Sequence, residues 1–489
     1  MVIGNNNAKR AVSGIKWTAF SLLFNIFVQI FQMSFFSRML SPNEFGLIGV
    51  MVLVNTFAMM FLDMGIGKAI IQKQSVTQNE LSSLYWLNCF IGIIIYIVIL
   101  TFRDVIAQNF NHPDIGSLIM ISSGIFLVLP FGQQYIVFLE KNLEFRTISL
   151  IEISSSGFQT LLSVILYYFG FGIFSIAFSM LFGCLLKVIL FNLKGRKYSK
   201  VELYFRLSCT KSFLSFGLLH ALDQIVGYIN NNLSAIIIGK FIGLGILGGY
   251  NIANSISTNI PSTLNPVITR VLFPYLSLLQ NNFDELIETF KDSLFYIGLI
   301  NSLMLTSLYF SCPQIVSIIF GDTWLWIIPM IKILCVAGIF RALCNPSGVL
   351  LLAIGKVRFG LIFNAMKTFL FFIPLLYFSS KYYLINGVVF SLLGFQIINF
   401  IANGFIFKAL LQFRFKDYLI TCSKSVMYAL PLAIVLLAAE GIESFYHGAL
   451  FILIIKIMLI VIYILSVGLF SRNKKIDYIR RIVYERTKA

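Results

Sequence analysis

Apolar runs of about twenty residues recur along the whole chain, and they constrain its fold more than any other feature. A helix of about that length crosses the ~30 Å hydrocarbon core of a bilayer. Only 12% of the 489 residues are charged and 58% are apolar, whereas a soluble domain carries about 25% charged residues. Because so few charges could not coat a water-soluble globule, the sequence predicts an all-α integral membrane protein.

We place about fourteen transmembrane helices on the sequence. The first follows a polar start and is too long for the core of a cleaved signal peptide, so we interpret it as a helix that stays in the membrane. The predicted spans cover residues 14–39, 46–71, 81–101, 116–138, 148–169, 172–191, 213–239, 246–272, 291–311, 326–353, 359–379, 384–410, 422–440 and 448–470.

The net charge of +17 is distributed unevenly over the segments between these spans. If the N-terminus is cytoplasmic, the outer segments hold only four cations, Arg38, Arg103, Lys240 and Lys381, and most of the 37 Lys and Arg lie inside. This asymmetry is the positive-inside rule. It predicts a multi-pass protein of the bacterial cytoplasmic (inner) membrane with both termini in the cytoplasm. It also accounts for the basic charge without nucleic-acid binding.

The chain contains an internal repeat. An offset of 202 residues lays Lys240 over Arg38 and Gly248 over Gly46. Parallel halves of six helices around a shared site are a recurrent transporter plan, so we predict two pseudo-symmetric six-helix lobes around a central cavity. The predicted domains are a cytoplasmic N-terminal segment (1–12), an N-lobe (13–191), a basic cytoplasmic linker (192–212), a C-lobe (213–411), two accessory helices (412–470) and a basic cytoplasmic tail (471–489).

Matching polar stripes open the two halves. Asn25, Gln29 and Gln32 recur at helical spacing in the first span, and Gln224 and Asn231 share one face of the seventh. Such stripes avoid lipid. They serve either as hydrogen bonds that join helices or as the lining of a polar cavity. Their equivalent positions in the two halves favour the cavity, and we assign Asn25, Gln29 and Asn231 to substrate binding.

Three cations, Arg341, Lys367 and Arg270, are candidate anion-binding residues. Arg341 lies near mid-bilayer in the tenth span, and its planar guanidinium can hold two phosphate oxygens. Lys332, nine positions earlier, falls on the opposite helix face and is interpreted as a snorkelling residue. Lys367 either lines a cavity or snorkels inward, and Arg270 either contacts incoming head groups or anchors the helix at the inner surface.

Two acidic residues are candidates for coupling or gating. Asp223 lies too deep in the seventh span to reach water without a cavity, so it either pairs with Arg341 or changes protonation during transport. Asp63 precedes two glycines at the inner end of the second span, where a helix cap or turn is the alternative role.

Several stretches resemble one family of exporters. Ser37–Gly46 resembles the first outer loop of polysaccharide flippases, and so do Leu62–Lys73 and Leu81–Asn88 farther along. Ile236–Gly243 and Leu247–Tyr250 look like the matching turn in the second half.

These motifs are similar to those of the Wzx-type lipid-linked oligosaccharide exporters of the multidrug/oligosaccharidyl-lipid/polysaccharide superfamily. The nearest branch exports lipopolysaccharide, colanic-acid and teichuronic-acid precursors. The resemblance covers about residues 10–410 and implies a two-lobed flippase for undecaprenyl-diphosphate-linked repeat units. It also implies a lipid-linked oligosaccharide and membrane lipids as partners, with a polysaccharide polymerase and glycosyltransferases as candidate partners. Relatives often carry an acidic residue where this chain has Asn230–Asn232, which puts an ion site there in doubt.

The lack of catalytic motifs argues against an enzyme. The chain shows no catalytic dyad, phosphate-cradling glycine loop or metal-ligand spacing, and its seven cysteines are scattered. We therefore expect no enzyme activity, catalytic residue, cofactor or metal site. A lipid II flippase or a drug/cation antiporter of the same superfamily is the alternative function, and a membrane-bound polyprenol-sugar polymerase or ligase fits the short extramembrane segments less well.

Overall fold

A computed structural model describes residues 2–63, 70, 77–197, 202–280, 282–411, 413–441 and 448–470. Within these ranges some side chains are not described, among them those of residues 211–223. No strand occurs in the described residues. The all-α class predicted from composition is confirmed, and the protein is a multi-pass membrane protein.

The described helices are named here in chain order. They are α1 (Val2–Met39), α2 (Pro42–Asp63), α3 (Gln78–Asn109), α4 (Asp114–Ser123), α5 (Ile125–Val128), α6 (Pro130–Lys141), α7 (Phe145–Leu166), α8 (Phe174–Gly195), α9 (Leu207–Ile237), α10 (Leu244–Leu278), α11 (Phe283–Ile315), α12 (Ile328–Ala353), α13 (Val357–Met366), α14 (Ile373–Leu411), α15 (Phe415–Met427), α16 (Ala429–Glu440) and α17 (Ala449–Phe470). Single π-helical turns extend α7, α9, α11 and α13.

The chain forms two compact units, Met1–Gly248 and Gly249–Ala489. The division falls after the predicted linker at 192–212, because α9 packs with the first unit. Its buried Tyr228 hydroxyl donates a hydrogen bond to the Leu53 carbonyl of α2 at 2.8 Å. The lobe boundaries drawn from the repeat stay a prediction.

In the first unit, α1 and α7 run parallel. Ser21 bonds to Glu152 and Gln32 bonds to Ser163, and both pairs are separated by 131 residues. A constant sequence separation between contacts means that two helices point the same way. The first and fifth predicted spans have this relation because three spans lie between them, so the chain crosses the membrane in the same direction in both.

In the second unit, α14 folds back on the segment before it. The Phe372 and Phe395 rings stack with centroids 4.3 Å apart, and Lys367 bonds to Asn399. Both pairs are centred on Leu384, where the backbone breaks from helical geometry with φ 52° and ψ −136°. The apolar segment Ile362–Leu411 is therefore a hairpin of two helices.

Length and apolarity identify eleven membrane-spanning candidates in the described residues, or twelve when the bent pair Asp114–Val128 and Pro130–Lys141 is one span. The hairpin counts as one candidate there, and α10 is not among them. The total is close to the sequence estimate, and the count of fourteen stays a prediction.

The C-terminal helices are built into the second unit. Tyr418 of α15 is fully buried against Phe290, Phe400 and Phe407. On α17 the fully buried Lys456 ammonium donates to the Phe310 carbonyl at 2.7 Å and to Gln314 Oε1 at 3.1 Å. Both acceptors flank Pro313, which lacks the N–H of a regular helical turn.

Candidate functional site

Lys367 lies on the hairpin of the second unit, within the membrane-spanning stretch. It begins a π turn, Lys367–Phe372, and π turns are frequent at functional sites because the extra residue re-aims the side chains. Its ammonium donates to Asn399 Oδ1 and lies 4.4 Å from the centre of the Phe363 ring. Asn403, which is buried, donates to the Asn399 carbonyl at 2.9 Å and to Asn399 Oδ1 at 3.3 Å. Lys367 is thus half-buried among neutral groups.

Arg341 lies on α12, about 20 Å along the helix axis from Ile328. It is exposed, and so are Asn345 and Gly348. These three positions recur at i, i+4 and i+7, so they form one polar face of the helix. A charge at mid-bilayer costs about 2.5–3.5 kcal/mol on the gentler insertion scale, so this face is suited to a water-filled space and not to lipid.

Arg341 and Lys367 lie at the same level of the second unit. Phe340, beside Arg341, packs on Phe400 with ring centroids 5.7 Å apart, and Phe400 follows Asn399, the partner of Lys367. Lys332 is half-buried, with its ammonium 5.1 Å from the centre of the Tyr309 ring. Lys332 therefore lies apart from the exposed face of α12 that carries Arg341.

The polar stripe of α1 divides between the two roles considered from the sequence. Asn25 donates to Ser21 Oγ at 3.3 Å, and Ser21 donates to Glu152 of α7 at 2.9 Å. Gln32 donates to Ser163 of α7 at 3.4 Å. Gln29 is exposed. Part of the stripe therefore joins two helices, and Gln29 lies exposed on α1.

The other predicted residues are described only in part. Asn231 is exposed on α9. The side chains of Asp63, Asp223 and Arg270 lie outside the described residues, although their backbones belong to the end of α2, to α9 and to α10. The alternatives stated for these three residues stay predictions.

The asparagines that hold Lys367 were not predicted from the sequence. Asn399 and Asn403 stand four residues apart in an apolar helix, a spacing that puts both on one face. That signal was readable, but only the hairpin turn at Leu384 shows that this face meets Lys367. The contact of Glu152 with Ser21 likewise depends on the packing of α1 on α7.

Residues 35–329 match the model of a family described as polysaccharide biosynthesis protein. The lipopolysaccharide biosynthesis protein WzxC of Escherichia coli (strain K12) is 34% identical over 430 residues, which is 87% of each chain. The teichuronic acid biosynthesis protein TuaB of Bacillus subtilis (strain 168) is 33% identical over 361 residues, covering 71% of this chain and 72% of TuaB.

Solved structures share the fold at low sequence identity. The lipid II flippase MurJ in an inward closed conformation has a TM-score of 0.73 at 17% identity, covering 94% of this chain and all of that one. An inward-facing multidrug resistance MATE family transporter of the MOP superfamily has a TM-score of 0.59 at 16% identity, covering 80% of this chain and 96% of that one. The family match and the relatives of about one-third identity agree, and the chain belongs to the polysaccharide biosynthesis protein family.

Proposed function

We propose that this protein is a flippase for undecaprenyl-diphosphate-linked oligosaccharide repeat units. It moves them from the inner to the outer leaflet of the cytoplasmic membrane for assembly of a surface polysaccharide, by alternating access of its two lobes. The observation that carries the proposal is the pair of membrane-embedded cations, Arg341 on an exposed polar face and Lys367 among neutral partners at the same level.

The chemistry of such a substrate fits these cations. The diphosphate is anionic and cannot cross hydrocarbon without compensation, while its polyprenyl tail can stay in lipid. Arg341 offers a planar donor set that binds two phosphate oxygens at once, and Lys367 adds a compact charge. Among the described residues the partners of Lys367 are the neutral Asn399 and Phe363, so a phosphate would add a group of opposite charge there.

The first unit supplies groups suited to the sugar. Asn25, Gln29 and Asn231 are polar, uncharged residues in membrane helices, and amides pair with sugar hydroxyls as both donors and acceptors. We assign them to the carbohydrate part of the substrate. Arg270 is assigned to head groups that enter from the cytoplasm, and Asp223 and Asp63 to coupling or gating.

The relatives support a carbohydrate substrate, since their names refer to lipopolysaccharide and teichuronic acid biosynthesis. A lipid II flippase is the second candidate, favoured by the fold shared with MurJ, and it would use the same diphosphate chemistry. A cationic-drug antiporter fits less well, because Arg341 and Lys367 would repel a positive substrate. Enzyme activity is not part of the proposal, and a polysaccharide polymerase and glycosyltransferases are the expected partners.

We place both termini in the cytoplasm, on the basis of the charge asymmetry. Reporter fusions after residue 105 should then report an outer location, and fusions after residue 200 an inner one. The opposite pattern at either point would reject this orientation.

Export of labelled lipid-linked oligosaccharide into inverted membrane vesicles tests the function, with lipid II and a cationic dye as competing substrates. Arg341→Ala should abolish export, and Arg341→Lys should recover only part, because a point charge replaces the planar guanidinium. Lys332→Ala is the matched control on the same helix and should export normally. Normal export by Arg341→Ala, or preference for the dye, would refute the proposal.

The alternative role of Arg341 is a structural ion pair with Asp223. In that case each single neutral variant should lose folded protein, and the double variant Asp223→Asn with Arg341→Gln should regain both abundance and export. Full export by the double variant would remove Arg341 from the substrate site.

A further inference from the structure

The segment that precedes α9 lies as a strap on the beginning of α3. None of the residues of this strap, 202–206, is helical. The amide N–H of Glu202 donates to Ser82 Oγ at 3.1 Å. The amide N–H of Arg206 donates to Ser83 Oγ, also at 3.1 Å. Both serines are fully buried, so these bonds hold the strap backbone against the first turns of α3.

The strap lies at one edge of the hydrocarbon core. No charged residue occurs in α3 between Glu80 and Arg103. That stretch of helix is about 33 Å long, close to the ~30 Å thickness of the core. The indole N–H of Trp86 donates to the carbonyl of Glu202 at 3.0 Å, and a tryptophan near the end of a span is typical of the membrane–water boundary. With the orientation proposed above, this edge is the cytoplasmic one.

The strap continues an apolar surface of α3. Its Leu203 side chain is 93% exposed, and its Phe205 ring packs edge-on against the Phe90 ring of α3 with centroids 5.6 Å apart. Phe90 is itself exposed, and so are Ile94 and Ile97, which follow it at helical spacing. An exposed apolar face on a membrane helix is suited to lipid. The strap therefore lies where the lipid-facing surface of α3 reaches the membrane boundary.

Cations accompany these exposed apolar side chains. Arg206 is exposed within the strap, and Lys194 and Arg196, at the end of α8 that leads toward it, are exposed as well. Leu207, the first residue of α9, adds a further exposed apolar side chain next to Arg206. Against these cations the strap has one acid, Glu202. Apolar side chains flanked by Lys and Arg are typical of segments that bind the head-group region of an anionic leaflet.

We propose that the strap is a docking surface for anionic phospholipids of the inner leaflet. Leu203 inserts between the lipid head groups, and Arg206 and Arg196 pair with their phosphates. The two serines account for a non-helical segment at this depth, because backbone N–H groups near hydrocarbon need a hydrogen-bond acceptor. The assignment to the inner leaflet rests on the proposed orientation, whereas the lipid contact itself does not.

Tryptophan fluorescence of the purified full-length protein in lipid nanodiscs tests the contact without any substrate. Leu203→Trp places an emitter on the strap, and subtraction of the wild-type spectrum removes the four native tryptophans. The added emission should lie at short wavelength and be quenched by phospholipids brominated close to the head group. Asp284→Trp, on the exposed first turn of α11, is the control and should emit as in water, without quenching.

The lipid charge is tested with the same variant. Replacement of phosphatidylcholine by phosphatidylglycerol should increase the quenching of Leu203→Trp, and salt should reverse that increase. Adding Arg196→Gln and Arg206→Gln to Leu203→Trp should abolish the increase. Adding Arg414→Gln instead, at an exposed cation of the second unit, should leave it unchanged.

Water-like, unquenched emission of Leu203→Trp would overturn the proposal. That is also the result expected if the strap binds a protein or a dissolved anion, because the nanodiscs contain neither. Equal quenching in the two lipids would reject the anionic contact. Leu207→Trp provides the same readout if Leu203→Trp folds poorly. Because no transport is measured, a failure of the proposed function would leave this result standing.

Discussion

The first turns of α2 and α10 meet through their backbones, and this contact predicts a large effect of a single methyl group. A Cβ atom built on Gly46 would lie 2.0 Å from the Leu244 carbonyl oxygen and 2.6 Å from its carbon. Ordinary contact begins near 3.4 Å, so Gly46→Ala must separate two backbone segments by about 1.4 Å. Overpacking of this kind costs about 1–3 kcal/mol or more, and rigid backbone on both sides favours the upper end.

The expected change in melting temperature follows from the size of the unit. A cost of about 3 kcal/mol lowers the melting temperature of a unit of roughly 250 residues by about 6–12 °C. Thermal unfolding in detergent, followed by the size-exclusion profile of a fluorescent fusion, measures it. The control is Gly394→Ala, where a Cβ meets nothing within 4 Å and better helix propensity adds up to about 1 kcal/mol.

A double variant makes the test sharper. A Cβ on Gly248 would lie 2.5 Å from the Pro42 carbonyl oxygen, across the same contact. Once one alanine has separated the turns, the second should cost little, so Gly46→Ala with Gly248→Ala should be clearly less destabilised than the sum of the two singles. A melting temperature of Gly46→Ala at or above that of the wild type would refute the reasoning.

Two further changes test the second unit by the same assay. Lys456→Met should lower stability by about 1–3 kcal/mol, because the Phe310 carbonyl and Gln314 Oε1 lose a buried donor. Lys381→Met, at an exposed lysine, is the control. Equal stability of the two variants would contradict the role of Lys456 as this donor. Leu384→Gly should stabilise by roughly 1 kcal/mol, because φ 52° with ψ −136° is strained for a side chain and the leucine is 58% exposed; a lower melting temperature would contradict it.

The membrane class could be predicted because it depends on composition and on run length alone. The hairpin at Leu384 shows both what apolar runs predict and what they leave out. The apolar runs 359–379 and 384–410 placed the turn correctly, since the polar interruption at Lys381 is a local signal. The contact of Lys367 with Asn399 depends on the register between two helices, which periodicity does not encode.

The candidate site was predicted residue by residue but not as an arrangement. Depth along the tenth predicted span singled out Arg341 from the sequence. Lys367 was left between two roles because its neighbours come from a helix about thirty residues later. For the same reason the sequence could not show that the Asn25 stripe ends on Glu152, since the bond crosses 131 residues.

The glycine contact gives the internal repeat a physical meaning. The offset of 202 residues pairs Gly46 with Gly248 and Pro42 with Leu244, and the structure brings Gly46 against Leu244 and Gly248 against Pro42. Each contact becomes the other when the two segments are exchanged, which is the signature of a two-fold, self-complementary interface. Asn43 and Gly245, also 202 residues apart, are neighbours, since a Cβ on Gly245 would lie 2.7 Å from Asn43 Oδ1. Since a side chain at either glycine would disturb both copies of the contact at once, the repeat supplies the reason why both positions carry glycine.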